Sequence, residues 1–402
     1  MLTRCVAVAP EVFAAQYWGR RPLLSRSGAL PRDFTDLLSP DAVDELISRR
    51  GVRAPFLRMA KAGEVLPRGC YVDAAGFGAE MPDQVDSARV LGQLAAGATL
   101  VLQGLHRLWP PLIDFVRDAV DDLGHPVQAN AYITPPDNRG FDSHYDVHDV
   151  FVLQVSGDKQ WRVHEPVHAD PLPSQPWTDH RAAIAARAEQ PPVIDTVLRP
   201  GDALYLPRGW VHAARSGDTT SIHLTIGVSA MTGLDVLRSL VDALADDAEF
   251  RASLPMGIDM AHSGETAAIA SKMMAALTET VRDRGADLSD RVAARMARRH
   301  GDRTRPVPVA PLATLDAAAA AETTRVRWRR GLLATLEDAD GRVRLRLPDR
   351  TMSFPEFCAP ALRALQAGGV LDAATLPGLD AHDGAVLLRR LLREAVAVAV
   401  AD

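Results

Sequence analysis

Seven short segments rich in Val, Ile, Leu, Thr and Tyr follow one another between residues 127 and 228, most of them bounded by Gly, Pro or Asp. Such runs fit strands in a sandwich or a barrel, and they limit what the middle of this chain can become. The expected strands are Val127–Thr134, Val150–Val155, Lys159–His164, Val193–Leu198, Ala203–Leu206, His212–Arg215 and Thr219–Val228. Before them, Pro40–Leu46 predicts a helix with Ser39 as cap and proline in its first position. Ala98–Gln103 predicts a strand and Leu105–Leu123 an amphipathic helix stopped by Gly124. Residues 54–59 predict a further strand.

Beyond residue 230 the pattern changes. Leu234–Phe250, Ala267–Arg284 and Leu288–His300 have helical periodicity without intervening strands. Residues 301–314, with three prolines, read as a linker, and a small α/β piece follows, ending in an expected helix over Gly384–Val400. The boundaries expected from these shifts are 1–230, 231–305 and 306–402. At 402 residues the chain is longer than one core usually supports. The formal charge of −6 gives no global attraction to nucleic acid or to an anionic membrane. Residues 316–402 carry 12 basic and 12 acidic side chains, which argues against direct nucleic-acid binding there. Three widely separated cysteines form neither a disulfide framework nor a metal knuckle, and no stretch is long and apolar enough for a membrane span. The expected setting is the cytoplasm.

Within the strand region, His144-Tyr145-Asp146 sets an imidazole and a carboxylate two residues apart, on one side of an extended chain. Taken alone, such a tripeptide is far more often two polar residues of a surface loop. A second segment, Arg199 to His212, runs turn, strand, turn and then histidine. That order would return His212 across a barrel mouth, completing the two-histidine, one-carboxylate set used by non-haem iron. Only three of the 45 basic residues are lysines, Lys61, Lys159 and Lys272, so a lysine on the apolar hairpin at 159 suggests a place where guanidinium does not fit.

His144-x-Asp146, the hairpin Phe151 to Arg162, and Pro200-Gly201-Asp202 through Gly209-Trp210-x-His212 resemble the JmjC-type cupin oxygenases, specifically the ribosomal-oxygenase branch. Tyr132-Ile133-Thr134-Pro135-Pro136, Gly140-Phe141, Lys159-x-Trp161-Arg162-Val163 and the N-terminal Tyr17-Trp18-Gly19-Arg20-Arg21-Pro22 share the likeness. The resemblance implies an α+β architecture: a double-stranded β-helix (cupin/JmjC jelly roll), a helical dimerisation region and a C-terminal winged-helix-like domain. It implies Fe(II) held by His144, Asp146 and His212, 2-oxoglutarate as co-substrate, and Lys159 as the cation for the distal carboxylate. Arg139 and Arg162 are the alternative cations, with Arg162 expected to face outward. Asn130 and Tyr132 would line the cofactor or substrate pocket, and Thr225 could bond a cofactor carboxylate or simply be a buried strand residue. His148 shares the face of His144 and Asp146, although a supporting or solvent-facing role suits it better; His223 reads as structural. The implied activity is hydroxylation of a protein side chain, foremost a ribosomal-protein arginine or histidine, by a homodimer. A hydroxylase of a biosynthetic peptide or small molecule, and a non-catalytic cupin that binds a partner, are the other readings.

Overall fold

In the computed structural model the strands of the middle region form two facing antiparallel sheets, and the described residues are 1–61, 63–78, 80–139 and 141–400. Gly140 lies outside the described residues. In chain order the first unit, residues 1–230, contains α1 (Pro10–Gln16), β1 (Leu23–Ser25), α2 (Pro40–Arg49), β2 (Leu57–Lys61), β3 (Glu64–Val65), α3 (Ser87–Ala95), β4 (Thr99–Leu102) and α4 (Pro110–Leu123). It continues with β5 (Val127–Thr134), β6 (Asp149–Ser156), β7 (Lys159–His164), α5 (Arg181–Ala188), β8 (Ile194–Leu198), β9 (Ala203–Leu206), β10 (Val211–Ser216) and β11 (Ser221–Val228). The large sheet has the order β1-β9-β6-β11-β5-β4-β2-β3 and the small one β8-β7-β10. Because β7 leaves the large sheet for the small one after a two-residue turn, the hairpin carries the chain across the jelly roll. Gly157 in that turn has φ +61, and a Cβ there would come within 2.3 Å of the Thr220 carbonyl oxygen, so only glycine is accommodated.

Both faces of the large sheet are covered, which explains why β6 is buried along seven of its eight residues. Phe151, Leu153 and Val155 point into a core shared with the N-terminal helices, including Phe13, Leu46 and Val120. Val150 and Val152 point the other way, against Trp161, Val163 and Leu198 of the small sheet. The two-residue alternation of a strand thus serves two cores at once.

The second unit, residues 231–402, begins with α6 (Gly233–Ala243), closed at its start by a capping box between Thr232 and Asp235. It packs on α7 (Ser263–Thr304), a 42-residue run in which Arg284 is non-helical (φ −124, ψ 22). The two helices expected over Ala267–Arg284 and Leu288–His300 are the halves of this kinked element. The expected linker over 301–314 is corrected at both ends, since α7 runs to Thr304 and α8 (Pro311–Ala319) starts inside it with proline in the first turn. Strands β12 (Val326–Trp328), β13 (Thr335–Ala339), β14 (Arg342–Arg346) and β15 (Thr351–Pro355) follow, then α9 (Ala359–Gln366), α10 (Ala381–Arg393) and β16 (Ala397–Ala399). The last helix expected from Gly384 to Val400 therefore stops early. Ala395 takes φ +54, and the Ala-Val alternation beyond it pairs with β12. Among the described residues, no helix is long and apolar enough to cross a membrane.

Candidate metal centre

Two local devices bring His144, Asp146 and His212 together. His144 and His212 form an isolated antiparallel bridge, each backbone N–H donating to the other's carbonyl oxygen at 3.1 and 2.8 Å. Gly209, at φ +86 in the turn before β10, donates its N–H to the Asp146 carbonyl oxygen at 3.0 Å. Residues more than sixty positions apart in sequence are thereby fixed by backbone bonds. The two imidazole centroids lie 4.5 Å apart, His212 Nε2 is 3.7 Å from Asp146 Oδ2, and one ligand atom from each of the three residues falls within 4.8 Å of the others.

The tautomers follow from the neighbours. His144 Nδ1 lies 2.7 Å from the Asp142 carbonyl oxygen and His212 Nδ1 lies 3.0 Å from that of Trp210. A carbonyl oxygen only accepts, so both protons sit on Nδ1 and both Nε2 lone pairs are free. Burial, with His144 beside it, pulls the His212 pKa down to about 4, keeping the ring neutral. Burial works against ionisation of Asp146, but the imidazoles of His148, His212 and His144 outweigh it and its pKa is lowered. Two imidazole nitrogens and one carboxylate oxygen suit a divalent metal with open positions.

The three residues line a cavity of about 220 Å³ whose floor is polar. Lys159 is 3% exposed there, its Nζ donating to Thr134 Oγ1 at 3.0 Å and standing 3.5 Å from His223 Nδ1. Burial alone pushes its pKa down to about 7. No carboxylate comes within ion-pair distance of it among the described residues, so the lysine is a buried cation with space in front of it.

Of the other sequence-derived candidates, Tyr132 and Thr225 line the cavity, while Asn130 does not: its Oδ1 accepts the Gly104 N–H at 3.0 Å. Tyr132 stacks on His223, centroids 5.0 Å apart and 5° from parallel, which gives His223 a place in the cavity wall. His148 packs against Gly227 and does not join the cluster. Arg162 pairs with Asp195 on the exposed face of β7, and Arg139 pairs with Asp142. Sequence reasoning missed Thr134, Arg58 and Trp177, which also line the cavity. Thr134 was legible in principle, two residues from Tyr132 on the same strand face; Arg58 was not, because nothing in the sequence sets β2 in register with β4 and β5.

Residues 112–236 match the model of the JmjC domain family. The chain is 31% identical over 263 residues to ribosomal oxygenase 1 of Gallus gallus, covering 62% of this chain and 40% of that protein. It is 44% identical over 234 residues to the bifunctional lysine-specific demethylase and histidyl-hydroxylase NO66 of Drosophila simulans, covering 55% of this chain and 25% of that one. The chain thus spans well under half the length of the curated relatives it matches. Among solved structures, Escherichia coli YcfD superposes with a TM-score of 0.58 at 18% identity over 98% of both chains. A further YcfD structure, described as a ribosomal oxygenase in complex with cobalt and 2-oxoglutarate, gives 0.54 at 17% identity over 99% of both. The stretch that carries the three-residue cluster thus matches the JmjC domain family, and the proteins it resembles include ones named ribosomal oxygenases.

Proposed function

We propose that this chain is an Fe(II)- and 2-oxoglutarate-dependent oxygenase that hydroxylates a protein side chain, with a ribosomal-protein arginine or histidine as the leading target. The observation that carries this reading is the meeting, in one cavity, of a two-histidine, one-carboxylate cluster with a buried lysine that has no carboxylate partner among the described residues. The donor set fits iron, and the lysine fits one carboxylate of a dicarboxylate co-substrate. Bound there, iron and 2-oxoglutarate supply the oxidising chemistry that places a hydroxyl on an unactivated carbon.

The chain's own residues do the rest. His144, Asp146 and His212 would hold the metal on one side, leaving the opposite side to ligands. Lys159 and Thr134 would hold the distal carboxylate, and a single charge-assisted anchor at the floor sets how far the co-substrate reaches toward the cluster. Val150, Val152, Leu206 and Trp161 wall the space between with apolar surface that excludes water. Tyr132 and Trp177, which line the cavity, would meet the target side chain.

The second unit completes the proposal. Residues 231–305 would form the dimerisation region and residues 306–402 the winged-helix-like domain. Val236, Leu237 and Val241 of α6 are 44%, 58% and 60% exposed, apolar surface that a second copy of the chain would cover. The proposed setting is the cytoplasm. The test is 2-oxoglutarate turnover with Fe(II) in the wild type and in His144→Ala, with mass spectrometry of ribosomal proteins from strains with and without the gene. Turnover lost in the variant, and a one-oxygen mass gain on a ribosomal protein in the presence of the gene, are expected. A wild-type protein that takes up no metal and turns over no co-substrate would leave a non-catalytic cupin.

A further inference from the structure

The cavity holds a second cation that the proposed chemistry does not use. Arg58 comes from β2, two strands beyond β5 in the large sheet, and the register runs laterally from Arg58 through Val101 and Tyr132 to His223. Tyr132 and His223 of this row line the cavity, and the Arg58 guanidinium lies within hydrogen-bonding reach of the Tyr132 hydroxyl and 5.6 Å from the centre of the Phe141 ring. Its Nε is buried without a hydrogen-bond partner, and among the described residues no carboxylate lies within ion-pair distance of it. Most surface arginines of the first unit behave differently: Arg53, Arg89, Arg139, Arg162 and Arg215 all have such a partner.

The rings around His144 carry the same sign. Phe141 and Trp177 stand 5.9 and 6.1 Å from the His144 ring, and each already has a guanidinium over one face, Arg58 over Phe141 and Arg181 over Trp177 at 4.4 Å. Aromatic faces beside a reacting centre are ordinarily the place where a cationic side chain is held. Here the protein's own arginines occupy one face of each. The charges lining the cavity point the same way. Asp146 contributes one negative charge, Lys159 and Arg58 one positive charge each. A divalent metal and a dianion cancel one another, so the loaded cavity would keep one positive charge, and that charge is Arg58.

We propose that this pocket accepts an uncharged planar side chain, of which imidazole is the leading case, and turns away guanidinium and ammonium groups, with Arg58 as the residue that sets the preference. The inference rests on the hydroxylase reading above and narrows its target from arginine or histidine to histidine. Like charges within several ångströms in a partly desolvated pocket disfavour the cationic competitor by about tenfold or more. A neutral imidazole meets no such repulsion, and its flat ring suits the space beside Phe141 and Trp177.

The experiment uses the full chain with Fe(II), 2-oxoglutarate and ribosomal proteins from a strain lacking the gene, and mass spectrometry to locate each added oxygen. Short synthetic peptides around the residue found, carrying histidine or arginine at that position, are then titrated calorimetrically. They are added to the wild type, Arg58→Gln and Arg58→Lys, each loaded with Mn(II) and the unreactive analogue N-oxalylglycine. At mildly alkaline pH, where imidazole is neutral, the expected result is addition on histidine and a wild-type binding preference for the histidine peptide of about tenfold or more. Arg58→Gln should narrow the preference severalfold by tightening the arginine peptide, and Arg58→Lys, which keeps the charge, should retain it. Oxygen added to arginine by the wild type, or a preference unchanged in Arg58→Gln, overturns the inference and leaves the hydroxylase reading intact. Co-substrate turnover with no oxygen added to any protein defeats the protein-substrate reading and this inference with it.

Discussion

Lys159 is the residue at which stability and the proposed function oppose one another. Its ordinary pKa of 10.5 falls to about 7 because the fold removes the ammonium from water without supplying a counter-ion. Between those two values the unfolded chain binds the proton more tightly than the folded one, so stability rises with pH from about 7 to 10.5, and below about 7 the full penalty is present. Lys159→Met, which fills similar space without charge, should therefore stabilise the ligand-free protein by on the order of 1–3 kcal/mol near neutral pH. It should also abolish 2-oxoglutarate binding. The same titration governs the wild type: a carboxylate needs the ammonium form, so co-substrate affinity should fall by up to about tenfold per pH unit above about 7. Thermal melts and isothermal titration across pH check both; a destabilised Lys159→Met, or affinity flat between neutral and alkaline pH, contradicts this account of the site.

At the scale of elements, the cluster depends on turns as much as on strands. Gly209 holds φ +86 while its N–H bonds to Asp146, and a Cβ there would stand 2.6 Å from the His168 carbonyl oxygen. Gly209→Ala should cost about 2–4 kcal/mol and weaken metal binding, since backbone strain and the close approach act together. Gly19, at φ +65 with open space around it, gives the control, at about 1 kcal/mol and no effect on metal. Melting curves and metal titrations of the two variants separate these outcomes, and equal effects would mean that the turn does not position Asp146. The turn was legible in the sequence because Pro-Arg-Gly announces it, and the strands were legible because β-branched residues and turn residues alternate there. What the sequence hid depends on distant partners. Ala397–Ala399 continues a helical pattern as well as a strand pattern, and pairing with Val326–Trp328 decides between them. The short helix at Arg181–Ala188 buries one large side chain, Ile184, too little to stand out as a periodic pattern. Arg58 joins the cavity only because β2 and β4 extend the sheet sideways, a register no local signal encodes.

At the scale of the molecule, each unit buries its own apolar side chains: the cores around the jelly roll use residues up to Val228, and those of the second unit begin at Ala243. Every residue that lines the candidate cavity belongs to 1–230. Self-association through α6, as proposed above, would therefore change the assembly without removing a group from the site. The double variant Leu237→Asp, Val241→Asp puts two carboxylates on the exposed apolar face of α6, where burial against a second copy would be prohibitive. Because both positions are more than half exposed, the fold of the protomer should tolerate the change within about 0.5 kcal/mol each. Light scattering should report a dimer for the wild type and a monomer for the variant, with 2-oxoglutarate turnover unaltered in the absence of a protein substrate. A wild-type monomer removes the dimer proposal. A monomeric variant that loses turnover while melting like the wild type would mean that association shapes the cavity from outside, since no described residue of the second unit lines it.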